Sequence, residues 1–458
     1  MKKRCVHFIG IGGIGVSALA RWYLSEGWRV SGSDIEASEI TEELAQEGIP
    51  ITIGQHKTEN IQAGTTLVIY SAAAKSNLEI AAAKRRKIKT VSYAEALGEL
   101  TKKNITIAVA GSHGKSTTTA LIALILIEAG FDPTVIIGTK LKEFTHPSRW
   151  QEAWLSSERS VGSNFRKGRS PVLVIEADEW NGSFLNYRPA LSIVTNIDKE
   201  HLDFYKTHGR VKAAFKKFLL NGVPGSRIII NAEDPGAVEV AAALLKKHPK
   251  RFKTRIHYYT LASPKAAELR PHMALPGRHN ASNAMAAFTL AKILNIPEET
   301  VKSVFAQFEG AWRRFEKIGV INGAPVIADY AHHPAEINAT IQAARAYFGK
   351  KKVIAVFQPH HYERTRDLFP EFGEALAAAD AVCLLDIYEV AGREKKRRDS
   401  RIHSFHLAKH ISEDGHDSYH LPYPSQLKEF LETEADANSI ILIMGAGSIW
   451  KLIKNIVQ

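Results

Sequence analysis

Cysteine is scarce in this sequence: among 458 residues only Cys5 and Cys383 are present, far apart along the chain. Two such distant thiols provide no disulfide framework, which excludes the class of small secreted domains that depend on one. This usage fits the reducing environment of the cytoplasm, where we expect the protein to act.

Long apolar runs are also missing. No segment reaches the roughly 18 uninterrupted apolar residues that a membrane-spanning helix needs, so we expect no membrane span. Short-period repeats and low-complexity tracts are absent too. With 45% hydrophobic and 24% charged residues, the composition is that of an ordinary globular protein.

The chain is basic, with a formal net charge of +12, but its lysines and arginines are spread over many short runs. No segment shows a compact basic stripe with interleaved aromatic residues, so we expect no nucleic-acid partner. A basic balance equally suits an enzyme whose ligands carry diphosphates and triphosphates.

The length exceeds what one hydrophobic core usually organises, since domains commonly have about 100 to 200 residues. Short apolar strands alternate with helical patterns along the chain, which predicts an α/β fold with parallel sheets. We predict three domains: a Rossmann-like N-terminal domain (1–100), a central domain with a P-loop ATPase-type parallel sheet (101–310) and a Rossmann-like C-terminal domain (311–458). The predicted strands are Val6–Ile9, Arg29–Ser33, Leu67–Tyr70, Ile105–Val109, Val172–Ile175, Leu191–Thr195, Arg227–Asn231, Pro325–Ala328, Val353–Phe357, Ala381–Leu385 and Ile440–Met444.

A glycine-bounded loop, Gly111-Ser-His-Gly-Lys-Ser-Thr117, follows one predicted strand and opens a helix. Two glycines let the backbone curl so that its N–H groups surround phosphate oxygens, and the start of the helix adds its positive dipole end. Lys115 supplies a charge, and Ser116 or Thr117 a hydroxyl for magnesium. The usual P-loop motif asks for glycine where this chain has Val109.

Carboxylates end the next apolar strand of this domain, in Val172-Leu-Val-Ile-Glu-Ala-Asp-Glu179. Nucleotide-dependent enzymes hold magnesium in this position opposite the phosphate loop, so Asp178 and Glu179 are candidate ligands, with capping of the next helix as the alternative. A further strand delivers Asn196 and His201 to the same edge. His201 is a candidate second metal ligand there.

A second glycine-rich turn, Gly10-Ile-Gly-Gly-Ile-Gly15, follows the first strand, and Asp34 ends the second. This is a Rossmann-type fingerprint, which predicts a ligand with a diphosphate or ribose. Nicotinamide dinucleotide is the usual occupant of such a turn, so an NAD-dependent oxidoreductase is one hypothesis, and a purely structural turn is another.

Polar clusters mark two further regions. Asn280 and Asn283 lie three residues apart at the start of a predicted helix, where carboxamides can bind adenine or simply cap the helix. In the third domain, histidine-rich loops (329–334 and 358–367) follow neighbouring strands and predict a polar pocket. Metal binding is possible there, but Arg364 beside it favours an anionic ligand.

Taken in order along the whole chain, these motifs closely resemble those of the Mur ligases. The set comprises Gly10–Gly15, Gly111–Thr117, Glu176–Glu179, Thr195–His201, His279–Asn283, Arg313–Phe315, Asp329–Pro334 and Gln358–Tyr362. The phosphate loop of that family reads G-[ST]-[HN]-G-K-[ST]-[ST], so Val109 is what the resemblance leads us to expect.

The resemblance implies an ATP-dependent amide ligase that joins L-alanine to the carboxylate of UDP-N-acetylmuramate through an acyl phosphate, a cytoplasmic step of peptidoglycan synthesis. ATP and Mg²⁺, with two ions, are the implied cofactors, and the implied metal ligands are Ser116, Glu179 and His201. A ligase that attaches a whole peptide to the same sugar in cell-wall recycling is the alternative within the family.

The resemblance also implies roles for individual residues. It assigns catalysis to Lys115, His201, Arg314 and His332. It assigns ATP binding to Gly111, Ser112, His113, Gly114, Lys115, Ser116, Thr117, His279, Asn280, Asn283, Arg314 and Asp329. It assigns binding of the UDP-sugar to Gly10, Gly12, Gly13, Gly15, Asp34, His56 and Ser71. It assigns binding of the amino acid to Tyr330, His332, His360, His361 and Arg364.

One departure concerns the amine substrate. The family usually has arginine where this chain has His361, and an imidazole cannot form the bidentate clamp that a guanidinium gives a carboxylate. The sequence therefore leaves open whether alanine, glycine or serine is preferred. It also leaves open whether the protein is a monomer or a dimer.

Overall fold

The computed structural model describes residues 4–74, 77–144, 162–388, 402–447 and 449–457. These residues form an α/β fold with three sheets, of five, seven and six strands. The predicted fold class is therefore confirmed.

The N-terminal sheet is entirely parallel and has the strand order β3-β2-β1-β4-β5. Because the chain reverses its winding direction between β1 and β4, the carboxyl ends of these two strands flank a crevice. The strands are β1 Cys5–Ile9, β2 Arg29–Asp34, β3 Ile51–Ile53, β4 Leu67–Tyr70 and β5 Lys89–Ser92, and the helices are α1 Ile14–Ser25, α2 Glu39–Gln46, α3 Leu78–Arg85 and α4 Tyr93–Lys103.

The central sheet has the order β12-β11-β10-β6-β9-β7-β8, and only β8 runs antiparallel to its neighbour. Its strands are β6 Ile105–Ala110, β7 Thr134–Leu141, β8 Ser163–Arg166, β9 Val172–Glu176, β10 Leu191–Val194, β11 Arg227–Asn231 and β12 Ile256–Tyr259. Its helices are α5 Lys115–Glu128, α6 Leu202–Tyr205, α7 His208–Leu220, α8 Pro235–Lys247, α9 Pro249–Phe252, α10 Pro264–Leu269, α11 Arg278–Ile293 and α12 Glu298–Gln307. Helix α5 is apolar on all sides and buried from Ser116 to Leu126, as expected of a helix enclosed by the core.

The C-terminal sheet has the order β13-β14-β18-β15-β16-β17, with β13 antiparallel to β14. Its strands are β13 Glu316–Ile321, β14 Ala324–Asp329, β15 Lys352–Phe357, β16 Ala381–Leu385, β17 Ser418–Leu421 and β18 Ser439–Met444. The helices are α13 Pro334–Phe348, α14 Tyr362–Asp367, α15 Phe369–Leu376, α16 Ser404–Glu413, α17 Gln426–Glu434 and α18 Ile449–Lys454.

Every strand predicted from the sequence is found, with each end within one residue of the observed end.

By compactness the chain divides into two units. One is Met1–His272 with Ser282–Gln307, and the other is Met273–Ala281 with Phe308–Gln458. The boundaries near residues 100 and 310 therefore stay a prediction. The polar segment from residue 140 to 170, whose role the sequence leaves open, lies partly outside the described residues, at 145–161. Among the helices of the described ranges, none is long and apolar enough to cross a membrane.

Buried polar groups join the N-terminal and central sheets within the first unit. Arg21 donates to Asn164 Oδ1 at 2.5 Å, and Asn164 Nδ2 donates to Ser17 Oγ at 2.8 Å. Lys140, only 1% exposed, lies 3.1 Å from Glu39. Buried polar groups with satisfied hydrogen bonds favour one arrangement over others. The glycine turn at the start of α1 and the phosphate loop therefore belong to one compact body.

Candidate active site

The phosphate loop connects β6 to α5, and its backbone requires glycine at two positions. Gly111 has φ of +143°, and a Cβ there would overlap Thr195 Oγ1. Gly114 has φ of +79°, and a Cβ there would overlap Asn283 Oδ1. Side chains larger than hydrogen are therefore excluded at both positions by space as well as by backbone conformation.

The end of β10 holds the loop in shape. Thr195 Oγ1 donates to the His113 carbonyl at 2.6 Å, while the Asn196 side chain accepts from the His113 amide at 2.8 Å and donates to its carbonyl at 3.0 Å. Ser112 Oγ accepts from the Asp198 amide at 2.9 Å. Because β10 and β9 pair with β6 on opposite sides, the loops after all three strands meet at one edge of the sheet.

Lys115 is the first residue of α5 and pairs with a fully buried carboxylate. Its Nζ lies 2.9 Å from Glu179 Oε2 and also donates to the Gly111 carbonyl at 2.6 Å and the Ser112 carbonyl at 3.2 Å. Burial alone would lower the pKa of Lys115, but the charge of Glu179 opposes it and the pKa is raised. The lysine is therefore a fixed cation under the loop.

Asp178, Glu179 and His201 each offer one ligand atom, and these three atoms lie within 4.8 Å of one another. Ser116 Oγ lies 3.1 Å from Glu176 Oε1, at the end of the same strand that leads to Asp178 and Glu179. Two carboxylates, an imidazole and a hydroxyl form a donor set that Mg²⁺ can use, because it prefers oxygen and completes its shell with water and phosphate. The residues therefore fit the predicted metal.

His201 is held in an unusual backbone conformation, with φ of 55°, at the start of α6. Tyr205, at the end of that helix, donates its hydroxyl to the Glu179 carbonyl at 2.6 Å. Burial would lower the pKa of His201, but the hydrogen bond and charge of Glu179 raise it. Backbone strain of this kind persists only where the surroundings enforce it, and such strain often marks a functional position.

The N-terminal glycine turn is also shaped by close packing. A Cβ at Gly10, whose φ is +73°, would lie 2.9 Å from Ser71 Cβ. Asp34 accepts from the Gly12 amide at 2.7 Å with one carboxylate oxygen and from the Ile35 amide at 2.8 Å with the other. Asp34 therefore stabilises the shape of the turn by accepting hydrogen bonds from its own backbone neighbour and from the turn.

In the second unit, two arginines lie against one tyrosine ring. The guanidinium carbons of Arg313 and Arg314 are each 4.9 Å from the centre of the Tyr330 ring, close enough for cation–π attraction. Arg313 and Phe315 both have positive φ, of 56° and 55°. Asp329 accepts from the Phe315 amide at 2.8 Å, and burial raises its pKa. These contacts fix the backbone on both sides of Arg314.

Three residues predicted for the amino-acid pocket form a chain of ring contacts. Tyr330 and His332 have centroids 5.2 Å apart, and His332 and His360 6.3 Å apart. The chain continues to Tyr388, which stacks on His360 at 5.7 Å and whose carbonyl accepts from the His361 amide at 3.3 Å. Arg364 Nη1 is buried without a hydrogen-bond partner among the described residues.

Asn280 and His279, both assigned to ATP binding, belong to the second unit and make local contacts or are buried there. Asn280 donates to the Pro276 carbonyl at 2.6 Å, a local contact with the segment before α11. Burial lowers the pKa of His279 to about 4, so this imidazole is neutral near pH 7. A neutral imidazole has one donor and one acceptor nitrogen, as recognition of a base edge requires.

Sequence reasoning missed several residues of the site. Glu176 bridges Ser116 and the Gly138 amide, Tyr205 braces Glu179, and Thr195 supports the loop. For Glu176 the signal was present, because it is the last residue of the carboxylate-bearing strand. Nothing in the pattern around Tyr388 distinguishes it from an ordinary residue after a strand.

Three family models match consecutive parts of the chain: "Mur ligase family, catalytic domain" over residues 5–104, "Mur ligase middle domain" over 109–291 and "Mur ligase, glutamate ligase domain" over 313–447. Among curated proteins, the chain is similar to the UDP-N-acetylmuramate–L-alanine ligases of Geobacter sp. (strain M21), at 38% identity over 98% of this chain and 95% of the relative, and of Aquifex aeolicus, at 39% over 97% and 95%.

Solved structures give the same picture. UDP-N-acetylmuramate-alanine ligase of Thermotoga maritima superposes with a TM-score of 0.79 at 27% identity, over 98% of this chain and 97% of that one. A murein peptide ligase of Psychrobacter arcticus shares the fold with a TM-score of 0.67 at 22% identity, over 99% and 98%. Relatives more than a third identical over nearly their full length, together with three consecutive family domains, show that the chain belongs to the Mur ligase family.

Proposed function

We propose that this protein is an ATP-dependent carboxylate–amine ligase that joins L-alanine to UDP-N-acetylmuramate, as the named function of its relatives suggests. The observation that carries the proposal is the phosphate loop whose Lys115 is paired with buried Glu179 beside His201. This arrangement concentrates positive charge and metal ligands where a triphosphate meets the loop. We also propose that the protein acts in the cytoplasm.

The reaction has two steps. A carboxylate oxygen of the muramyl group attacks the γ-phosphorus of ATP, the bond from that phosphorus to the β,γ-bridging oxygen breaks, and ADP leaves. The nitrogen of alanine then attacks the acyl carbon, the bond from that carbon to the phosphate oxygen breaks, and inorganic phosphate leaves. The amine loses its proton as the amide forms.

The first step brings a carboxylate to a triphosphate, so preorganised positive charge supplies most of the stabilisation. Ser116, Glu179 and His201 would hold Mg²⁺, which would supply positive charge for the phosphate oxygens. With a metal on Glu179, Lys115 would be free to contact the phosphates. We also assign a catalytic role to Arg314, whose backbone is fixed on both sides.

The remaining assignments follow the geometry of each loop. We assign the uridine diphosphate to the N-terminal end of α1, directly after the glycine turn, where the helix dipole favours an anion. We assign the amino acid to the pocket of aromatic and imidazole rings, with Arg364 for its carboxylate and His332 for the proton that the amine loses. We assign the remaining ATP contacts to Asn283 and the backbone of the phosphate loop.

The oxidoreductase hypothesis has less support. It leaves Lys115 and the carboxylate strand without a role. The peptide ligase alternative rests on a neighbour at 22% identity, a level that speaks for the fold only. The acceptor is therefore best decided by experiment.

The metal assignment predicts a specific change in Mg²⁺ dependence. Replacing His201 by alanine removes one ligand, so we expect the Mg²⁺ concentration for half-maximal activity to rise about tenfold, as loss of a metal-binding partner typically causes. The measurement is a Mg²⁺ titration of phosphate release. His272→Ala, at an exposed position of the same unit, is the matched control and should leave the titration unchanged. An unchanged titration in His201→Ala would remove this residue from the metal site.

The function itself is tested by phosphate release from ATP in the presence of UDP-N-acetylmuramate and, in turn, alanine, glycine, serine or a tripeptide. We expect sugar-dependent release with alanine. Release only with the tripeptide would establish the peptide ligase instead. The absence of sugar-dependent phosphate with every acceptor would refute the ligase proposal.

A further inference from the structure

Glu79, on α3, is a fully buried carboxylate that none of the proposed steps uses. It accepts four hydrogen bonds from side chains that are distant in sequence. His7 Nε2 lies 3.0 Å away, Ser33 Oγ 2.8 Å, His56 Nδ1 2.8 Å and Asn60 Nδ2 2.7 Å. We call this group the Glu79 hub.

The hub holds a charge in the interior. Burial by itself raises the pKa of Glu79, but the hydrogen bonds from His7, Asn60, His56 and Ser33 together lower it to about 2. The carboxylate is therefore ionised near pH 7, and it can only accept hydrogen bonds. An isolated buried charge is costly unless it is paired and hydrogen-bonded, so the four donors are needed for the fold to tolerate it.

The hub lies directly beneath the glycine turn. The carbonyl of Ser33, whose hydroxyl donates to Glu79, accepts from the amides of Gly10 at 2.8 Å and Ile11 at 3.1 Å. His56 follows β3 and is 12% exposed, whereas His7 is 1% exposed. His56 is thus the imidazole of the hub that reaches the surface at the carboxyl edge of the sheet.

The ionised carboxylate determines which nitrogen of His56 faces outward. Because Glu79 accepts only, Nδ1 of His56 must carry the hydrogen that it donates. In the neutral ring, Nε2 is then an acceptor, and within the described part of the chain no residue donates to it. A ring with a fixed tautomer and orientation can accept from one donor on a ligand without a further ordering cost.

We propose that Glu79 is a positioning residue of the nucleotide-sugar site: it fixes His56 so that Nε2 accepts a hydrogen bond from a hydroxyl or N–H of the uridine. This inference rests on the proposed function, because it takes UDP-N-acetylmuramate as the ligand of the glycine turn. Glu79 itself does not touch the ligand.

The test is a double-mutant cycle measured as the Kd of UDP-N-acetylmuramate by calorimetry. Glu79→Gln and His56→Ala should each weaken binding about tenfold, the effect of one lost hydrogen bond to a fixed partner. The double variant should be no weaker than His56→Ala, because Glu79 acts through that ring. In Glu79→Gln, kcat at saturating sugar should stay within about twofold of the native value, since the ATP side is unchanged. Glu99→Gln, at an exposed glutamate of α4, is the matched control.

Two outcomes would overturn the inference while leaving the proposed function intact. One is native binding by Glu79→Gln, and the other is a loss in that variant that persists in full when His56 is already alanine, which indicates general destabilisation. If Glu79→Gln fails to fold, ¹⁵N NMR of the imidazole nitrogens in the native protein provides the test. It should show His56 protonated at Nδ1, and protonation at Nε2 alone would refute the proposal. A native protein that does not bind the sugar nucleotide would instead refute the proposed function.

Discussion

Replacing Lys115 by alanine should reduce sugar-dependent phosphate release by about 1,000-fold while leaving the Kd of UDP-N-acetylmuramate unchanged. The lysine is the cation under the phosphate loop, and loss of one preorganised group that stabilises transition-state charge costs about this much. The sugar nucleotide is assigned to the glycine turn of another sheet, so its binding should not depend on Lys115. Phosphate release and calorimetric titration measure the two effects separately.

This variant needs a control for folding, because it leaves Glu179 buried without its partner, and a broken buried ion pair costs about 3–5 kcal/mol. A thermal melt with and without Mg²⁺ should show the metal recovering part of the loss. Lys212→Ala, which breaks an ion pair with Glu239 on the surface of the same unit, should be close to native in all three measurements. An equal loss of sugar binding in Lys115→Ala would show that the two sites are assigned wrongly.

Replacing Gly111 by alanine should abolish ATP-dependent activity, with a loss of at least about 100-fold. A methyl group there would overlap Thr195 Oγ1 and lie 3.1 Å from the Asn196 amide nitrogen. The hydrogen bonds that those two residues make with His113 would have to break, and the loop would lose the shape that surrounds the phosphates. ATP binding, measured by calorimetry, should fall together with turnover.

Gly130→Ala provides a matched control, because Gly130 also has a positive φ, of +79°, but its Cβ would meet nothing within 4 Å. It follows the end of α5, so it tests backbone strain alone, at a cost of about 1–2 kcal/mol in the free energy of unfolding. Activity should remain. Equal damage in the two variants would mean that strain in the chain, and not the shape of the loop, limits function.

The buried strands were predictable because their apolar runs carry the signal locally. The strands that the sequence did not reveal are the two edge strands of each sheet and β7. Edge strands other than β13 have only three or four residues, and their side chains are mixed; in β3, Thr52 and Ile53 are exposed. Their pairing is fixed by the neighbouring strand, which a local pattern does not contain.

The candidate site was likewise predictable only in part. Lys115 and Glu179 were predictable, because each follows a strand whose carboxyl end must lie at one edge of a parallel sheet. The Glu79 hub was not predictable, because its four donors come from positions 19 to 72 residues away in sequence and none has a motif of its own. Asp34 was predicted to contact the UDP-sugar; its two bonds to backbone amides show how it shapes the turn, and the contact itself stays a prediction.

The central claim is that the γ-phosphate passes to a carboxylate before the amine attacks, and isotope transfer tests it most directly. UDP-N-acetylmuramate with ¹⁸O in both carboxylate oxygens is incubated with the native enzyme, ATP, Mg²⁺ and alanine, and the released phosphate is analysed by ³¹P NMR. The proposed reaction predicts one ¹⁸O atom in each phosphate, because the oxygen that attacked phosphorus leaves with it. Phosphate without ¹⁸O would mean that water attacked ATP, and would contradict the acyl phosphate mechanism.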